Sequence, residues 1–239
     1  IKVVKVDARE EAVKQAVLSA ADVFISLVDN VQESFGLTPV EAMAAGLPAI
    51  SSDWDGYRDT VLHGETGFLI PTVIPPAGAG FEYAWRLAVG QDDYDAHVGV
   101  LAQHVAVEIP KAVDALAQLA EQPDLLKRMG DAARRRAREI YDWPVIVRAY
   151  DALWRDLEER RGFYSDEDPG AVPQLSDPFR TFAGFASERI GKGFRVQPVA
   201  DAETLLDLLQ ANPIASMDMR SLADGRALVA SMRQNGTMF

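Results

Sequence analysis

Residues 33–46 read ESFGLTPVEAMAAG, with Glu33 and Glu41 on either side of a glycine-containing turn. Within this stretch, TPVE has the form of a capping box. Thr38 is a good N-cap, Pro39 suits the first helical position, and Glu41 falls third, within reach of the Thr38 amide. Gly46 is placed to end the same helix in a left-handed conformation. Helix punctuation therefore accounts for residues 38–46 unaided. It leaves Glu33 and the phrase SFGL unexplained.

The pattern on both sides of this stretch sets the fold class. Upstream, IKVVKV (residues 1–6) reads as a short strand. Residues 10–21 carry Ala12, Val13, Ala16, Val17, Ala20 and Ala21 at helical spacing. DVFISLV (22–28) is a near-continuous apolar run, as in a strand covered on both faces. Downstream, LPAISS (47–52) is strand-like, DWDG (53–56) is a turn, residues 57–63 are helical, and GFLIP (67–71) closes the series. Alternating strands and helices predict an α/β fold, a Rossmann-like parallel sheet with helices on both faces.

Residues 72–108 break that rhythm with prolines, glycines and aromatics, and are read as an insertion with some helix over the end of the sheet. From Lys111 three helices are expected, ending near Arg161, with Pro123 and Pro144 marking starts or breaks. Residues 1–161 thus form one partial Rossmann-like domain. Residues 162–178 have the composition of a linker. Residues 179–239 read as a small helical extension, with FRTFAGFASERI, AETLLDLLQAN and RSLADGRALVASMRQ as helices and GFRVQPV as a short strand.

Bulk properties exclude several functions. The net charge is −12, and residues 161–239 carry only −2 of it, so the first 160 carry −10. Such a surface repels nucleic-acid phosphates and anionic membranes. The run RRRAR at 134–138 lies beside Asp131 and Glu139 in a helical pattern and reads as a solvated face. With no cysteine, disulfides and thiolate metal sites are excluded, which fits a cytoplasmic location. No apolar run reaches the roughly 18 residues that span a bilayer. Peripheral attachment to a membrane stays open.

At the turn, chemistry joins the pattern. A glycine between strand and helix lets a ligand approach the backbone. The helix start offers free amides and a positive dipole end, suited to phosphate. Ligands of open α/β sheets bind at the carboxyl ends of strands, where this turn falls. Carboxylates accept hydrogen bonds from vicinal hydroxyls. Amides flanked by two acids match a diphosphate flanked by two sugars, which is a nucleotide-sugar.

Residues 21–71, ADVFISLVDNVQESFGLTPVEAMAAGLPAISSDWDGYRDTVLHGETGFLIP, resemble the donor-binding half of retaining GT-B glycosyltransferases of the large group 1 family. Glu33 and Glu41 match its Glu-x7-Glu motif, within FGL and EAMAAGLP. A looser likeness runs through residues 129–154. The resemblance implies that Glu41 binds the nucleotide ribose and that Glu33 contacts the transferred sugar near the reacting carbon. Ser34, Phe35, Gly36, Leu37 and Thr38 would line the sugar and diphosphate. It also implies retention of configuration, an acceptor not identifiable here, and no metal or other cofactor beyond the nucleotide-diphosphate sugar. Asp53, Asp55 and Gly56 border this region, with loop geometry the favoured reading. Of the three histidines, His63, His97 and His104, His63 reads as a turn residue.

The family's acceptor domain and the start of its donor domain, with the Arg and Lys that grip the diphosphate, have no counterpart in these residues. The expectation is an N-terminally truncated chain whose residues 1–6 need missing polypeptide or another chain to complete the sheet. Turnover by this piece alone is not expected. The alternative is a module that holds a nucleotide-sugar without catalysis. An epimerase of the same fold, or a protein with a purely structural role, fits the motif less well.

Overall fold

The structure is a computed structural model that describes residues 2–161, 177–191 and 193–194, and singly Thr204, Asp207 and Ala211. Along the chain run α1 (Glu11–Ala20), β1 (Phe24–Ser26), α2 (Leu37–Ala45), β2 (Ala49–Ser52), α3 (Tyr57–Thr60), β3 (Gly67–Ile70) and β4 (Thr72–Ile74). There follow α4 (Phe81–Ala88), α5 (Tyr94–Ala102), β5 (Ala106–Val107), α6 (Ile109–Glu121), α7 (Pro123–Arg136), a π-helical turn (Ala137–Tyr141), α8 (Trp143–Arg161), α9 (Pro178–Thr181) and β6 (Glu188–Arg189). Two compact units divide them: Ile1–Val28, Ser34–Ile70 and Glu108–Pro173 form the first, and Asp29–Glu33, Pro71–Val107 and Gln174–Phe239 the second.

The first unit holds the expected α/β fold. Its parallel sheet has the order β1-β2-β3, with Phe24 opposite Ala49 and Ala49 opposite Gly67. All four residues of the central strand β2 are buried, as in a strand covered on both faces. Helices α2, α6 and α7 pack against the sheet. Met43, Ala49, Val61, Ala133 and Ala137 form its apolar centre, with Phe24 and Leu69 against them. Removing the Met43 side chain from water stabilises the unit by roughly 1.5–3 kcal/mol.

Two strand expectations change. The run at 22–28 forms only the three-residue β1, and Ile25 is 46% exposed because β1 lies at the sheet edge rather than inside it. Residues 2–6 form no strand: Val3 is 82% and Val4 66% exposed. An extended segment that meets no neighbour lacks the ladder bonds that define a strand.

The arginine run also differs from a merely solvated face. Arg134 Nη2 donates to the Ala45 carbonyl (2.6 Å), and Arg136 donates to the carbonyls of Thr60 (3.1 Å) and Asp59 (2.6 Å). These arginines satisfy carbonyls that helix ends leave unpaired. Gly130 of α7 lies so near α2 that a Cβ there would sit 2.4 Å from the Gly46 carbonyl oxygen. By contrast, the 19 residues of α8 include none that is buried.

In the second unit, β4 pairs antiparallel with β5 and parallel with β6, so residues 72–108 supply strands as well as helix. FRTFAGFASERI is not one helix. It forms the single turn α9, then turns through Phe182–Gly184 before reaching β6. The Asp177 side chain caps α9 by accepting from the Phe179 and Arg180 amides, and also takes the Gly78 and Gly80 amides. That cap starts the helix; downstream, Ser187 is held to Thr72, its amide donating to Thr72 Oγ1 (3.1 Å) and its hydroxyl accepting from the Thr72 amide (3.0 Å). Of the linker read at 162–178, residues 162–176 lie outside the described residues, and Asp177 and Pro178 belong instead to the cap and first turn of α9. Also outside the described residues are the helices read at 202–212 and 220–234 and the strand read at 193–199, apart from Gly193, Phe194 and helical Thr204, Asp207 and Ala211.

Candidate functional site

Helix α2 begins earlier than its capping-box spelling implies. Gly36 is the N-cap, at φ 74°, and no side chain caps the helix. Leu37 is then the first helical residue, Thr38 the second and Pro39 the third. Pro39 costs no hydrogen bond there, because the first four amides of any helix lack an internal acceptor. Glu41, in the fifth position, lies past the reach of a capping box. Its carboxylate instead accepts from Lys14 Nζ at 2.7 Å. Gly46 ends the helix as expected, at φ 88°, with its amide bonded to the Ala42 and Met43 carbonyls.

The early start follows from packing. A Cβ at Gly36 would lie 2.0 Å from Tyr57 Cε1, inside the ring of a residue only 1% exposed. A positive φ and that ring together admit only glycine. The Tyr57 hydroxyl lies 3.2 Å from Ser26 Oγ at the end of β1, and Gly56 presses equally closely on the Ser34 carbonyl, where a Cβ would sit 2.1 Å away. The turn after β2 thus seats the turn after β1. Phe35 is held edge-on by Tyr141 at 5.9 Å, and the Tyr141 hydroxyl donates to the Asp59 carbonyl (2.7 Å).

This scaffold leaves the helix start open to solvent. Leu37 is 68% exposed, and Ser34, Phe35 and Thr38 are exposed too. The amides of Leu37 and Thr38, unpaired by position, form a tip suited to an anion. Glu41 lies one helical turn along, in a groove of about 400 Å³ between α1 and α2. Lys14 there sits between Glu41 and Glu11 (3.0 Å), which raise its pKa, Glu41 the more strongly.

Of the residues picked from sequence, Ser34, Phe35, Gly36, Leu37, Thr38 and Glu41 come together in the first unit. Glu33 belongs to the second, half-buried, its amide donating to the Asn30 carbonyl at 3.0 Å. Near it in that unit, burial pushes the Asp29 carboxyl above its usual range. Asp53 pairs with Arg58 in the turn after β2. Asp55 takes φ 32°, and burial raises its carboxyl pKa. His63 Nδ1 accepts from the Leu69 amide (3.1 Å), which is the work of a turn residue. Among the described residues, no three of His, Asp and Glu gather as metal ligands, and no helix is long and apolar enough to cross a membrane.

Sequence reasoning missed Lys14 and Tyr57. Lys14 meets Glu41 across 27 positions, and no local signal marks such a pairing. Tyr57 had one clue, its place directly after the glycine of DWDG.

Comparison with known proteins bears on the same segment. Residues 6–76 match the sequence profile of the family described as glycosyl transferases group 1. The phosphatidyl-myo-inositol mannosyltransferase of Mycobacterium leprae is 44% identical over 63 residues, covering 26% of this chain and 16% of that protein. The D-inositol 3-phosphate glycosyltransferase of Corynebacterium glutamicum is 29% identical over 150 residues, covering 63% of this chain and 27% of that protein. A sucrose-phosphate synthase structure from Thermosynechococcus elongatus aligns with TM-score 0.39 and 26% identity, over 60% of this chain and 27% of that one. The aligned stretches thus span about a sixth to about a quarter of these curated relatives' lengths.

Proposed function

We propose, from the premise that this chain is a member of the group 1 glycosyl transferases through residues 6–76, that its first unit binds the donor of a sugar transfer. The donor is a nucleotide-diphosphate sugar. The α2 tip at Leu37 and Thr38 takes the diphosphate, and Glu41 takes the ribose hydroxyls. The observation that carries this reading is the exposed helix start, kept clear by Gly36 and Tyr57 and flanked by a carboxylate that does not cap it. Were Glu41 a cap, its carboxylate would be committed to the helix itself.

The reaction that follows transfers the sugar to an acceptor hydroxyl with retention of configuration. The bond from the anomeric carbon to the leaving diphosphate oxygen breaks as the acceptor oxygen bonds to the same face. The diphosphate takes the acceptor proton. Positive charge grows on the sugar and negative charge on the diphosphate, so the fixed amides of the helix tip stabilise the transition state more than the ground state. Whether this chain only holds the donor or also turns it over depends on the acceptor side. Binding is therefore the part of the proposal to test on this chain.

The test is a thermal-shift screen of the 239-residue chain against UDP-, GDP- and ADP-sugars. At 100 times its dissociation constant, a ligand adds about 2.7 kcal/mol to stability. One nucleotide class should raise the melting temperature, and Glu41→Ala should remove the rise while leaving the unliganded melting temperature nearly unchanged. A rise that survives Glu41→Ala would exclude the site, and no rise with any donor would exclude the function.

A further inference from the structure

Glu41 and Lys14 are complementary in a way that an ion pair alone does not require. Lys14 donates to Glu41 Oε1 at 2.7 Å and lies 3.0 Å from Glu11 Oε2. An ammonium has three N–H donors, so one is left over. On the other partner, Glu41 Oε2 accepts from no described residue. A free acceptor and a free donor therefore stand side by side. The groove they share, of about 400 Å³, is lined also by Ser19, Ala44 and Ala45, small residues that leave room for a planar ring. Its size is that of a small-molecule site, for which roughly 300–1,000 Å³ is usual.

Charge points the same way. The first 160 residues carry a net −10, and Lys14 is the one cation among the residues lining this groove. The lining sets Glu11 and Glu41 against that one cation, which suits the neutral, hydroxyl-bearing part of a ligand and leaves an anionic part to the α2 tip. From Leu37 to Glu41 along α2 is about 6 Å, at 1.5 Å per residue, a span that lets one molecule reach both.

We propose that the α1–α2 groove is the nucleoside end of the donor site and that Lys14 is a diol-recognising residue within it. This rests on the donor reading given above. Of the two ribose hydroxyls, one donates its proton to Glu41 Oε2, and the oxygen of the other accepts the remaining Lys14 N–H. In this arrangement each hydroxyl makes one of the two charge-assisted bonds, so a vicinal diol makes both and a deoxy sugar loses one. A bare Glu41 would accept from either hydroxyl with looser geometry. Lys14 also holds the carboxylate in one orientation while it keeps Oε2 open.

The bland alternative is a staple between α1 and α2. A half-buried surface pair of that kind stabilises by about 1 kcal/mol and has no consequence for ribose. Preference for a ribonucleotide over its deoxy analogue separates the two roles, because a staple does not change it.

The experiment is calorimetric titration of the whole chain with UDP, GDP and ADP, followed by the 2′-deoxy and 3′-deoxy forms of whichever binds best. The unsubstituted chain should prefer the ribonucleotide by about tenfold or more, as for hydrogen bonds to charged groups. Lys14→Met should weaken ribonucleotide binding, leave binding of the deoxy form that lacks the Lys14-bonded hydroxyl nearly unchanged, and so collapse the ratio for that form to about threefold or less. Lys14→Arg, which keeps a donor, should retain part of the preference. If Lys14→Met preserves the ratio while Glu41→Ala abolishes binding, the Lys14 assignment falls and the donor site stands. If the unsubstituted chain binds none of the three nucleotides, both fall.

Discussion

The turn leading into α2 and the hairpin of α4 and α5 solve opposite problems with inverted chemistry. At the turn the aromatic ring is buried and the polar groups face water: Tyr57 is 1% exposed, whereas Leu37 is 68% exposed beside the open helix amides. In the hairpin the rings face water and the polar groups are inside. Phe81 and Trp85 are 65% and 57% exposed, while Arg86, Asp92 and His97 are buried. Arg86 donates to Asp92 Oδ1 at 2.8 Å, and among the described residues Asp92 Oδ2 and His97 Nδ1 have no hydrogen-bond partner. Buried charges are retained only when paired, so the Arg86–Asp92 pair serves the hairpin's own fold. The turn keeps its polar groups for something else. The contrast is one of direction: polar groups point inward in the hairpin and outward at the turn.

If the Tyr57 ring shapes the turn, adding one methyl group at Gly36 should be costly. In Gly36→Ala the new Cβ meets Tyr57 at 2.0 Å, at φ 74°. Left-handed strain costs about 1–2 kcal/mol and overpacking about 1–3 kcal/mol, so urea unfolding should show a loss of about 2–5 kcal/mol. Gly64→Ala is the matched control. Gly64 has φ 79° with nothing within 4 Å of its Cβ position. It bears the strain without the clash and should lose only about 1 kcal/mol. Equal losses at the two positions would remove the ring from the account.

The hairpin should betray its buried polar groups through pH. Burial lowers the pKa of His97 below its ordinary 6.5, opposed by the Asp92 charge and a hydrogen bond to the Tyr83 backbone, and aided by the Arg86 charge. The neutral ring is therefore favoured in the folded state. Above the unfolded value both states are neutral, and the stability is fully present. As pH falls below 6.5 the unfolded chain takes up the proton first, and stability declines until the folded value is passed. Each unit of difference between the two values corresponds to about 1.4 kcal/mol. His97→Gln should flatten this component of the unfolding midpoint between neutral and acid pH. An unchanged slope would show that His97 is not held neutral.

The legible parts of the fold were those written in local periodicity. The central strand Ala49–Ser52 and the helices over 109–161 follow from apolar runs, prolines at first turns, and Gly46 at a helix end. Residues 2–6 have strand chemistry but, among the described residues, no strand partner, and pairing is a non-local property. FRTFAGFASERI has helical composition, yet the Ser187 contacts with Thr72 draw its second half to β4. At the site, the motif named Glu41 and the glycine turn. The Tyr57 ring and the Lys14 partner came from segments that only folding brings near.

The smallest expected effect tests the start of α2 itself. TPVE spells a capping box, and a true Thr38 cap replaced by alanine costs about 1 kcal/mol. In the structure Thr38 is the second helical residue, exposed, and no side chain caps the helix. Thr38→Ala should then change the urea midpoint by no more than a typical surface substitution, within about 0.5 kcal/mol. Alanine is also the better helix former, which offsets part of any loss. A full cap-sized loss would move the helix start to Thr38 and hand Glu41 back to the helix as its reciprocal cap. The helix-start carboxylate would then be structural, and the turn would resemble the hairpin after all.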